Sequence, residues 1–74
     1  MNTRTQKRSL TIAGHRTSIS LEDAFWDALK DVARARGLSV AELVEEIDKD
    51  RGNAGLSSAI RVYLLGVYRG ERPA

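Results

Sequence analysis

Arg16, Ser18 and Ser20 stand two residues apart in the stretch RTSISL, with Thr17, Ile19 and Leu21 between and after them. In an extended chain successive side chains point to opposite faces, so the first three share one face and the second three the other. A guanidinium and two hydroxyls on one face are recognition chemistry: Arg donates through a planar fork, and Ser donates or accepts. The rest of the chain offers little for catalysis. Its 74 residues include no cysteine and one histidine, His15. Ser57 and Ser58 therefore lack a histidine-based activator and read as helix-capping residues. A thiolate or histidine metal cluster is excluded. The acids Glu42, Glu45, Glu46 and Asp48 read as a solvated helix face. No enzyme activity, cofactor or metal is expected.

A strand of about six residues does not make a sheet by itself, and a chain this short needs help to be stable. Disulfides are excluded, which leaves association with a second copy. No apolar run approaches the length of a membrane span, and no apolar signal core follows the basic start MNTRTQKRSL. The expectation is a soluble, cytoplasmic protein.

Charge is unevenly placed. Residues 1–20 hold Arg4, Lys7, Arg8 and Arg16 and no acid, whereas acids outnumber bases over residues 21–50. A basic edge on an acidic body suits a polyanion, but charge alone favours a solvated, disordered basic tail.

Three helices must position the strand. Ser20 is the expected cap of the first, with Asp23 three residues on, and Leu21, Phe25, Leu29, Val32 and Ala33 recur at helical spacing as far as Gly37. The second opens at Ser39, with Glu42 completing a capping box, and carries Val40, Leu43, Val44 and Ile47 on one face. After the loop DRGNAG the third starts at Ser57 or Ser58. Ile60, Tyr63, Leu64 and Val67 form its stripe, but Val62 and Leu65 fall outside it. A helix apolar nearly all round is normally buried, which predicts a subunit interface.

Upstream, Leu10 and Ile12 alternate as Thr17, Ile19 and Leu21 do. Gly14 either turns a local hairpin or bulges one long ribbon. Two chains can pair their strands antiparallel across a two-fold axis, each supplying the partner the other lacks. A two-stranded ribbon has the right width to enter the major groove of DNA.

The stretch HRTSISLEDAFWDALKDVARARGLSVAELV resembles the ribbon-helix-helix DNA-binding proteins of bacteria. The resemblance lies in the alternating strand, the helix that follows it and the turn Gly37-Leu38-Ser39 into the second helix. From KRSLTIAGHRTSISLE through SSAIRVYLL, roughly residues 7–68, the chain is similar to a small subfamily of uncharacterised members. The resemblance implies a mainly α fold with a short β-ribbon. It would be a homodimer with an intermolecular antiparallel two-stranded ribbon, plus a third helix. It also implies base reading by Arg16, Ser18 and Ser20, and a phosphate held by the backbone N–H groups of Ser39, Val40 and Ala41. Lys7 and Arg8 are the expected phosphate contacts of a basic arm.

The expected dimer core is Ile19, Leu21, Phe25, Leu29, Val32, Leu43, Val44, Ile47, Ile60 and Leu64. Residues 1–7 are expected as a flexible arm, 8–69 as the dimerisation and DNA-binding domain, and 70–74 as a tail. The expected function is transcriptional regulation by a repressor on double-stranded DNA. An antitoxin-like module with a protein partner and a dimeric protein-interaction module are the alternatives. Two features depart from the family pattern. The outward face offers one Arg and two Ser, and the segment Arg8–Ala13 has no counterpart in the minimal fold, so it would either block or lengthen a symmetric ribbon.

Overall fold

In the computed structural model, which describes residues 4–72, the chain runs β1 (Thr5–Ile12), β2 (His15–Glu22), α1 (Asp23–Arg36), α2 (Val40–Asp50) and α3 (Leu56–Tyr68). The two strands pair antiparallel with each other, from Thr5 opposite Glu22 to Ile12 opposite His15. Gly14 therefore turns a local hairpin. Its two-residue loop, Ala13-Gly14, has positive φ at both positions, 52° and 82°. That is the backbone sign a tight hairpin requires to match strand twist, and glycine adopts it readily whereas alanine does not. Of the two arrangements expected at Gly14, the local hairpin is the one present, so β1 lies along one edge of β2 within the chain. It also shortens the expected arm, because Thr5–Lys7 lie in β1; residues 1–3 lie outside the described residues.

Strand β2 continues to Glu22, so Ser20 does not cap α1. The N-cap is Glu22, without a side-chain capping bond, and Asp23 supplies the acid of the first turn. At the other end Gly37 has φ 71°. There the Leu38 N–H donates to the Ala33 carbonyl at 2.9 Å and the Gly37 N–H to that of Arg34 at 3.1 Å. This paired closure satisfies two carbonyls left over at the helix end. Helix α2 starts as expected from its capping box: Ser39 Oγ accepts from the Glu42 N–H at 3.1 Å, and Glu42 Oε1 accepts from the Ser39 N–H at 2.8 Å. Helix α3 begins at Leu56 behind Gly55, one turn position earlier than expected. Its end closes as α1 does, with Gly70 N–H to Val67 O at 3.0 Å and Glu71 N–H to Gly66 O at 2.8 Å. The expected tail therefore folds back on the helix as far as Arg72; residues 73–74 lie outside the described residues.

One face of the hairpin closes onto the helices. Ile12, Ile19 and Leu21 meet Leu29, Val32 and Ala33 of α1, Leu43, Val44 and Ile47 of α2, and Ile60, Tyr63 and Leu64 of α3, all of them buried. Fully burying each large aliphatic side chain is worth about 1.5–3 kcal/mol. Of the expected dimer-core residues, all but the half-buried Phe25 are thus enclosed within a single chain. Arg36 ties the helices together at the rim. It donates to both Glu46 carboxylate oxygens and, at 3.2 Å, to the Tyr63 hydroxyl. These partners, Glu46 first, raise its already high pKa, and Arg36 in turn lowers that of Glu46.

Candidate nucleic-acid interface

The register sorts the hairpin into two faces. Leu10, Ile12, Thr17, Ile19 and Leu21 face the helices, and so does Arg8, opposite Ile19. The other face carries the cross-strand pairs Lys7–Ser20, Ser9–Ser18 and Thr11–Arg16. Lys7, Ser9, Thr11, Arg16 and Ser18 are exposed, and Ser20 is half-buried. With Thr5, opposite Glu22 at the open end, this face presents two cations and five hydroxyls among the described residues. Its one acid, Glu22, lies at the far end in an ion pair with Arg61 at 2.9 Å. A hydrogen bond to its own backbone and the Arg61 guanidinium hold Glu22 below the usual carboxylate range.

The predicted readers Arg16, Ser18 and Ser20 do share one face, as their spacing requires. Sequence reasoning missed Ser9 and Thr11, which join them from β1. The signal was present in the period-two alternation about Ala13-Gly14, but it became readable only once the hairpin register was known. Arg8 departs from expectation. Its guanidinium lies 4.4 Å from the centre of the Trp26 ring and pairs with Asp23 at 3.2 Å, while its Nε is buried without a hydrogen-bond partner. The expected pair of phosphate contacts therefore divides: Lys7 faces outward, and Arg8 belongs to the packing beneath. Parity told them apart, because Arg8 shares its face with Leu10 and Ile12.

The strand edges differ as well. In a two-residue hairpin the closing pair exchanges both hydrogen bonds, and pairs alternate from there. The groups of Arg16, Ser18 and Ser20 then point away from β1. Accordingly the Ser20 N–H donates to Ser57 Oγ at 3.0 Å, and Arg61 donates to the Ser20 carbonyl at 3.2 Å. Ser57 is thus no cap; it bonds the β2 edge at Ser20. This contact keeps the Ser20 backbone occupied while freeing its side chain from the capping role expected of it.

At the second predicted phosphate site, the N-terminus of α2, the Ser39 N–H already donates to Glu42. That backbone donor, and then the Ser39 hydroxyl, hold the Glu42 carboxyl below its ordinary range. A carboxylate stands where an anion was expected to bind. Val40, half-buried, follows directly. No helix among the described residues is long and apolar enough to cross a membrane.

The model of the ribbon-helix-helix domain matches residues 5–68 of the chain. Among solved structures, an uncharacterized protein from Bordetella pertussis Tohama I is similar, at 32% sequence identity and a TM-score of 0.74. The match covers 100% of this chain and 69% of that one. No curated protein matches the sequence significantly.

Proposed function

The chain belongs to the ribbon-helix-helix domain family, a family of DNA-binding and regulatory modules, and from that premise we propose that it is a sequence-specific DNA-binding regulator whose own hairpin enters the major groove. The reading is non-catalytic: a cytoplasmic repressor that occupies a promoter as a homodimer. The observation that carries it is the outward hairpin face, where Lys7 and Arg16 stand among Ser9, Thr11, Ser18 and Ser20 with no unpaired acid. Adjacent strands lie about 4.8 Å apart, so a hairpin fits a groove about 12 Å wide. Arg16 is the side chain able to make a bidentate contact to guanine; the hydroxyls of Ser18, Ser20, Ser9 and Thr11 accept or donate with less discrimination. Lys7 contacts phosphate and fixes register. Val40, next to the capping box, offers a further backbone N–H to phosphate.

A second reading, a protein-interaction module without DNA binding, draws on the Glu42 carboxylate at the α2 N-terminus, which disfavours a phosphate there.

Titration of wild type, Arg16→Ala and Lys7→Ala against genomic fragments at several salt concentrations separates the two. Under the DNA reading, wild type saturates on a subset of fragments. Arg16→Ala then weakens those complexes and relaxes their selectivity. Lys7→Ala weakens all fragments alike and lowers the log–log salt slope by about 0.9. A folded wild-type protein that binds no fragment at low salt establishes the second reading.

A further inference from the structure

A cleft of about 260 Å³ opens between the C-terminal half of α2, the first half of α3 and Arg72 in the turn beyond α3. Pockets for drug-sized molecules run to about 300–1,000 Å³, so this one fits a smaller molecule. Ile47 and Tyr63, both buried, line it, and Ala54, Ala59 and Val62 extend the apolar surface. Four charged residues also line it: Glu46, Asp50, Arg51 and Arg72. Two of them are already satisfied. Glu46 pairs with Arg36, and Arg51 pairs with Asp48 and donates to the Ala54 carbonyl at 2.6 Å. Asp50 and Arg72 have no ion pair among the described residues.

Arg72 is nevertheless held in place. Its backbone N–H donates to the Gly66 carbonyl at 3.2 Å, and its guanidinium lies 5.4 Å from the centre of the Tyr63 ring. Its stem runs over Gly66, where a Cβ would stand 3.1 Å from the Arg72 Cδ. Glycine weakens a helix interior; here, inside α3, it leaves room for the arginine. A guanidinium fixed beside a cleft, with no acid to pair it, is set to bind a carboxylate. Asp50, on the α2 side, is set to bind a cation.

We infer that the cleft binds a small zwitterion with an apolar body, the chemistry of a free apolar amino acid. Arg72 takes the carboxylate, Asp50 takes the ammonium, and the wall of Ile47, Ala59 and Val62 takes the side chain. Filling the cleft strips water from both charged groups. A ligand that lacks either charge therefore leaves one of them desolvated and unpaired, which costs affinity. No residue of the hairpin lines the cleft, so this inference stands apart from the DNA reading.

Amide NMR of the full chain, titrated with L-valine, L-leucine, L-methionine and L-phenylalanine in turn, tests it. At least one of them should shift the resonances of Ile47, Ala59 and Val62 saturably. The deaminated and the decarboxylated analogue of the best binder should each bind more weakly by about tenfold or more, since each loses one charged contact. Arg72→Gln should bind that amino acid no better than wild type binds its decarboxylated analogue, and Asp50→Asn no better than wild type binds the deaminated one. Gly66→Ala keeps both charges but displaces the Arg72 stem, and it should weaken binding with helical circular dichroism unchanged. No saturable shift with any of the four at millimolar concentration overturns the inference. So does an analogue that binds as well as the amino acid, or binding that survives both charge substitutions. The analogue comparison uses wild-type protein alone, so it decides even where a variant fails to fold.

Discussion

Arg8 and Arg16 carry the same side chain on paired strands of one hairpin, yet they do opposite things. Arg8 lies over Trp26 and bonds Asp23, with its Nε left buried and unpartnered. Arg16 stands exposed opposite Thr11, with no ion pair among the described residues. The difference is one of parity in the strand. A cation on the helix side becomes a packing element whose charge must be satisfied locally. A cation on the far side keeps its donors for an external ligand. The number of positive charges near a ribbon is therefore a poor guide to its affinity for a polyanion; what matters is the face on which each one lies.

The comparison is sharpened most strongly by a change on the inner face that involves no charge. Leu21 is fully buried, and Leu21→Ala should cost about 2–5 kcal/mol of stability. It should lower DNA binding only as far as it lowers the folded fraction, which chemical denaturation and binding on one sample will show. Arg16→Ala is the outer-face counterpart. It should cost about 1–3 kcal/mol of binding to the preferred site and leave the melting temperature unmoved. A melting temperature that falls with Arg16→Ala would break the division of faces.

Arg8→Ala comes next, with an expected loss of about 1 kcal/mol of stability from the cation–π contact and the partly exposed ion pair, and an unaltered salt slope for DNA binding. Arg8→Met should cost less, because methionine keeps the contact with Trp26 and brings no buried N–H. A slope that drops with either variant would return Arg8 to the phosphate contacts. A smaller effect belongs to the turn that sets the register. Ala13 sits at φ 52°, where a residue with a Cβ is strained. Ala13→Gly relieves that strain and should raise stability by up to about 1 kcal/mol in thermal unfolding, without changing which residues share a face.

Acid should loosen the outer end of the ribbon and the helix rims mildly. Glu22, Glu42 and Glu46 all titrate below the ordinary carboxylate value in the folded chain. A depressed folded pKa means that the stabilisation is fully present above the unfolded value of about 4.3 and is lost as pH falls through the folded pKa. Melting temperature should stay flat near neutrality and decline below about pH 4. The decline should be shallower in Glu46→Gln, which has no carboxylate to protonate beside Arg36.

Helix α2 was legible almost to the residue, because a capping box is a contact between positions three apart and its physics is local. The same holds for the stop at Gly37, for the alternation that separates Ile19 and Leu21 from Arg16 and Ser18, and for the family. Ser20 and Ser57 were misread for the converse reason. Each is a good cap by type, and what overrides that role is a hydrogen bond across 37 positions. Whether β2 would pair within or between chains also lay beyond the sequence, since its hydrogen-bonding groups are satisfied equally well by either strand. The turn at Ala13-Gly14 places β1 along one edge of β2. The apolar excess of α3 was plain in the sequence, but only the packed structure shows which of its residues the core uses and which it leaves outside. Local contacts and periodicity are written in residue order. Faces shared between elements exist only once the chain has folded, because they depend on distances that no spacing in the sequence encodes.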